Sequence, residues 1–160
     1  MNINDIYRAV RPLKNRMHVK NALRCMIAAM AAAGGVSFII ACIALFTPVL
    51  FLSDIIIKIY ATAFVTGIAA SLFLRPGNLK TMKTADLLGL KERLITSYEL
   101  KDDYSPIARI QRYDAVKSTS NMNFKSLYSI VPAKTEVFFA FALLCITLLL
   151  LFIPSVSKDK

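Results

Sequence analysis

Hydrophobic positions in this chain are bunched into three long runs separated by segments of mixed polarity. Ala22 to Phe46 carries no charge after Arg24, Ile55 to Leu74 carries only Lys58, and Val137 to Ile153 carries none. A helix rises about 1.5 Å per residue and a hydrocarbon core is about 30 Å thick, so each run is read as a transmembrane helix. The third is only just long enough and must stand nearly upright. Ahead of the first run, Ile3, Ile6, Val10, Leu13 and Met17 share one helical stripe, with Arg8, Arg11, Lys14 and His18 away from its centre. That pattern predicts a basic amphipathic helix lying along the anionic inner leaflet. Pro12 sits inside it, and an interior proline costs about 3 kcal/mol, so a kink or a division is expected there.

Between the second and third runs the pattern changes to shorter amphipathic segments. Leu87, Leu88, Leu90, Leu94, Ile95 and Tyr98 fall in one helical arc, with Glu92, Arg93, Thr96 and Glu99 pointing away. Thr84 or Asp86 is placed to open this helix, and "KDDYSP" reads as the turn that ends it. Ser105 followed by Pro106 is an N-cap and first-turn proline for a second helix, whose weaker stripe is Ile107, Ile110, Gln111, Asp114 and Ser118. Lys91 falls within the first arc and Asp114 on the second stripe, so an ion pair is expected to set the register of the two helices. The alternative leaves both solvated, Asp114 beside Lys117. Phe124, Leu127, Tyr128 and Val131 of "FKSLYSIVPAK" are expected to touch lipid.

The predicted architecture is all-α: an integral membrane protein with three transmembrane helices and a small cytoplasmic helical hairpin between the second and third. Its parts are a basic amphipathic interfacial helix (1–21), a transmembrane helical hairpin (22–74), a cytoplasmic helical segment (75–136), a third span (137–153) and an external tail (154–160).

Composition agrees with this pattern. With 160 residues, 56% hydrophobic, and a mean hydropathy of +0.55, the chain is too apolar for an ordinary soluble domain. The net charge of +10 comes from Lys and Arg before the first run and between the second and third, while "TPVLFLSD" between the first two has none. The positive-inside rule then places the N-terminus and middle segment in the cytoplasm, and the short loop and "PSVSKDK" outside. Charge arranged around spans, without a recognition motif, argues against nucleic-acid binding. The first apolar run is about twice the length of a signal-peptide core, so it is expected to remain as an anchor.

Little in the chain points to chemistry. The three cysteines, Cys25, Cys42 and Cys145, lie in or beside spans; an odd number without paired spacing suits small buried hydrophobes rather than disulfides or zinc. Acylation of Cys25 near the interface is the alternative. His18, the single histidine, reads as an interfacial charge. A glycine-rich phosphate loop, an HExxH motif and a Ser/His/Asp order are all missing, so neither enzymatic activity nor a cofactor is expected. Asp102 and Asp103 read as solvated turn acids rather than metal ligands. Lys58, inside a span, is expected to snorkel outward toward Asp54 at i−4. Ala28, Ala31, Ala32 and Gly35 in the first span, and Ala63, Gly67 and Ser71 in the second, are spaced for close helix packing. The bulky third span reads as lipid-facing.

A middle segment of roughly sixty residues with two short helices holds too little core to stand alone. Its leucine-rich face is therefore expected to dock on the inner leaflet, a second copy or a partner protein, through Leu87, Leu90, Leu94, Ile95 and Tyr98. Membrane tethering would raise the effective concentration for such a contact. A transporter or pore subunit is the second reading, weakened by the scarcity of polar residues in the spans, and a membrane enzyme the third.

Two N-terminal spans, "LGLKERLITSYEL", "SPIARIQRYDA" and a third span ending in proline resemble the N-terminal region of a widespread family of uncharacterised bacterial multi-pass membrane proteins. The specific likeness covers Leu88 to Leu100 and Ile107 to Ala115. It implies the bacterial inner membrane and, since some members are encoded near MoxR-type ATPases, an envelope-related role. Larger members continue into a long extracytoplasmic region beyond the third span, and the family supplies no catalytic residues to transfer.

Overall fold

A computed structural model describes residues 3–47 and 51–152. Their regular structure is helical throughout: α1 (Ile3–Phe46), α2 (Leu52–Phe73), α3 (Asn78–Ala85), α4 (Arg93–Glu99), α5 (Pro106–Ser120), α6 (Phe124–Leu127) and α7 (Lys134–Phe152). Both α1 and α2 are long and apolar enough to cross a membrane. Residues 48–50 of the expected outer loop, residue 153 of the expected third span and the expected tail at 154–160 lie outside the described residues. The described residues form two compact units, one within 1–20 and 75–131 and one within 21–74 and 132–160.

The core of the first unit contains Ile6, Val10, Leu13 and Met17 from α1, Met82 and Ala85 from α3, Leu90, Leu94 from α4, Ala115 from α5, and Phe124 from α6. The α1 stripe assigned above to the inner leaflet is thus covered by protein, and Phe124, expected against lipid, is 5% exposed. The physical reason is shared: each short helix of 78–127 has an apolar face too small to be stable alone, and the α1 stripe completes it. α1 runs through Pro12 without the division that was one of the two expected outcomes there. Polar ties reinforce the packing of this stripe. Lys14 Nζ donates to Asn78 Oδ1 at 2.7 Å, and Arg16 donates to the carbonyls of Tyr128 and Lys125. The Lys20 ammonium stands 5.0 Å from the centre of the Tyr128 ring.

The single helix expected to open at Thr84 or Asp86 and run to the "KDDYSP" turn is divided: α3 ends at Ala85, a short wide helical turn covers Asp86–Leu90, and α4 begins at Arg93. Gly89 takes φ +129°, outside any helix, and Lys91 and Glu92 follow in left-handed conformations. Only glycine adopts such a φ without strain. The leucine periodicity continues through the break and conceals it.

In the second unit, α1 and α2 meet at Gly67. A Cβ there would lie 3.2 Å from the Met26 Cα and 3.3 Å from the Ala29 Cβ. Ser71 is buried, with its hydroxyl donating to the Ile68 carbonyl. Ala63 is half-buried, while Ala28 and Ala32 are exposed. The buried small face of α1 is instead Ala33, Gly34, Ser37, Ala41 and Ala44, about one residue out of phase with the expected one. Gly34 is shaped by α7: a Cβ there would be 3.0 Å from the Leu143 Cβ and 3.4 Å from the Tyr60 hydroxyl. One side of α7, with Leu143 and the buried Thr147, is therefore packed rather than lipid-facing. Arg24 and Glu136 form a 2.8 Å ion pair.

Candidate functional site

The outer face of α5 is the most distinctive surface of the first unit. Ser105 caps the helix by accepting the Ala108 N–H at 3.2 Å, with Pro106 at the first helical position. Asp103 holds this cap, accepting the Ser105 amide at 2.8 Å and its hydroxyl at 3.0 Å. Ala108, Arg112, Ala115 and Thr119 then recur at three- and four-residue spacing and are all buried. The small alanines allow close approach to the rest of the unit. The 3%-exposed Arg112 donates through one Nη to the carbonyls of Leu100, at 2.7 Å, and Asp103, at 2.9 Å, fastening the α4–α5 turn. With that face turned inward, Ile107 and Ile110 face outward at 74% and 69% exposure, beside the exposed Tyr104 and Tyr113. Arg109 and Lys117, both exposed, flank them.

Hydrophobicity alone selects the wrong side of α5, because its inward side consists of alanines, a threonine and an arginine. The recurrence of small residues at 108, 115 and 119 is the signal that marks the buried side.

The leucine-rich face is largely used internally. Leu90 and Leu94 are 4% and 0% exposed within the core, Ile95 and Tyr98 are half-buried, and Leu87 alone stands open, at 89%. Asp114 pairs with Arg93 at 3.1 Å rather than with Lys91, and Arg93 also donates to the Ser118 hydroxyl at 2.7 Å. Lys91 is carried outward on the left-handed turn that follows Gly89.

Asp86 has a structural part the periodicity did not assign. Its Oδ1 accepts the Leu94 N–H at 3.1 Å and its Oδ2 the Ile95 N–H at 2.9 Å, so it caps α4 from across the break. Burial pushes its carboxyl pKa above the ordinary value; the two N–H donors oppose that rise and the nearby Glu92 charge adds to it. The sequence names Asp86 as a cap, but for a helix starting six residues earlier than Arg93.

Among the described residues no group of three His, Cys, Asp or Glu is placed to hold a metal ion. Cys25, Cys42 and Cys145 are free thiols, each half-buried. His18 Nδ1 is buried without a hydrogen-bond partner. Asp54 and Lys58 are both exposed, and the pair expected between them is not among the ion pairs of the described residues. Comparison with family models, curated proteins and solved structures finds no match to this chain.

Proposed function

We propose that this is a non-enzymatic interaction module of the bacterial cytoplasmic membrane, with α1, α2 and α7 crossing the bilayer and the first unit on the cytoplasmic side. The first unit contains fifteen Lys and Arg against seven Asp and Glu, and the positive-inside rule favours the cytoplasm for such a segment. The family resemblance supports the same orientation and an envelope-related assembly.

The observation that carries the reading is the outer face of α5. Tyr104, Ile107, Ile110 and Tyr113 are exposed large side chains on a unit whose own core is already closed. Exposed aromatic and aliphatic side chains with basic neighbours suit the centre of a protein interface, with acidic groups of the partner meeting Arg109 and Lys117. Tethering makes a weak contact sufficient. Of the leucine-rich face, Leu87 stands open and Ile95 and Tyr98 are half-buried, while Leu90 and Leu94 are occupied in the core.

A photo-crosslinking residue at 110, in the full chain in native membranes, tests the proposal. A discrete protein adduct should form and should be lost when Tyr113→Asp is added. Adducts to lipid alone, or a protein adduct indifferent to Tyr113→Asp, would remove the reading.

A further inference from the structure

Beyond their contact at Gly67, α1 and α2 of the second unit leave a groove of about 540 Å³. Ala32 and Val36 of α1 and Ile59, Ala63 and Thr66 of α2 line it, with Lys58 as its single charged residue. Its threonines offer little polarity: the Thr62 hydroxyl donates to the Lys58 carbonyl at 2.8 Å and the Thr66 hydroxyl to the Thr62 carbonyl at 2.7 Å. The walls are therefore methyl groups, with one ammonium that has no carboxylate partner among the described residues.

Two features choose the occupant. A hydrocarbon chain matches a groove walled by Ala32, Val36, Ile59 and Ala63. An uncompensated ammonium beside hydrocarbon attracts an anion strongly, because charge interactions strengthen as the surrounding dielectric falls. We infer that the groove binds an anionic phospholipid, one acyl chain lying between α1 and α2 and the headgroup phosphate meeting Lys58 Nζ. Lipid tails are as apolar as the groove, so burial contributes no preference, and selectivity comes from the ion pair together with shape.

The inference rests on the membrane reading above, and resistance of the membrane-bound chain to alkaline carbonate extraction checks that reading separately. The test is native mass spectrometry of the full chain, purified in mild detergent with equal phosphatidylglycerol and phosphatidylcholine. One retained phosphatidylglycerol is expected, preferred about tenfold, equivalent to ~1.4 kcal/mol. Lys58→Ala should abolish the preference, Lys58→Arg should keep it, and Ala63→Leu, which fills the groove, should abolish retention. Lys80→Ala, at an exposed lysine of the first unit, should change nothing. Inorganic phosphate at the lipid's concentration should not displace the bound molecule. Equal retention of the two lipids, an undiminished preference in Lys58→Ala, or displacement by inorganic phosphate would each overturn the proposal. Carbonate extraction of the chain would instead sink the membrane reading.

Discussion

The Oδ2 of Asp86 accepts the backbone N–H of Ile95 at 2.9 Å, nine residues along the chain and on the far side of a helix break. This bond, with its counterpart to Leu94, makes one buried carboxylate the start signal of α4. Replacing it with alanine should cost about 0.5–2 kcal/mol, as loss of a cap does. Amide exchange at Leu94 and Ile95 should speed up before the rest of the unit does.

The pH dependence of that cap has a definite sign. Burial raises the folded-state pKa of Asp86 above its ordinary value of 3.8, so the folded chain holds the proton to higher pH than the unfolded chain. Stability contributed at this site therefore falls as pH rises from about 3.8 through the folded value, and is level above it. Unfolding of the wild type and Asp86→Asn compared across that range should show the wild type losing ground with increasing pH. A gap that widens in its favour would contradict the assignment.

The break itself is testable by glycine exchange. Gly89→Ala places a Cβ at φ +129° and should destabilise the unit. Lys91→Gly relieves a left-handed residue and should stabilise it by about 1 kcal/mol. Thermal unfolding of both variants in detergent should shift in opposite directions.

Core and surface leucine-type positions should separate cleanly. Leu94→Ala empties a fully buried site and should cost about 2–5 kcal/mol. Ile107→Ala, at an exposed site, should stay within about 0.5 kcal/mol of the wild type while weakening partner capture.

In the second unit, Gly67→Ala meets the α1 backbone at Met26, whereas Gly35→Ala meets nothing within 4 Å. The first should weaken the α1–α2 contact. The second should be neutral or stabilising, since alanine is the better helix former by about 1 kcal/mol. Unfolding in detergent that ranks the two the other way would mean the helices do not close at Gly67.

A double-mutant cycle separates the two candidate partners of Asp114. Arg93→Ala and Asp114→Ala should couple by about 0.2–1 kcal/mol, a modest value because the pair is about half exposed. Lys91→Ala and Asp114→Ala should be additive.

Several features of this fold are local and could be read directly. Ser105 and Pro106 announce the start of α5 because capping involves only neighbouring atoms. The unbroken apolar runs of α1 and α2 are likewise a property of consecutive residues. The stripe from Ile3 to Met17 was recognisable as a buried face, but its cover was not: periodicity states that a face must be hidden, and lipid and protein satisfy it equally well.

The candidate site depended still more on tertiary structure. Leu90 and Leu94 look like a free docking face until residues 3–17 close over them, and Ile107 and Ile110 look inward until Ala108, Arg112 and Ala115 occupy that side. Sequence alone determined helical class, apolar runs, charge distribution and helix starts, since each arises from residues within a few turns of one another. Only the assembled structure decided which helical face meets which, because that choice compares surfaces from segments far apart in sequence, as Arg93 with Ser118 and Lys14 with Asn78 illustrate.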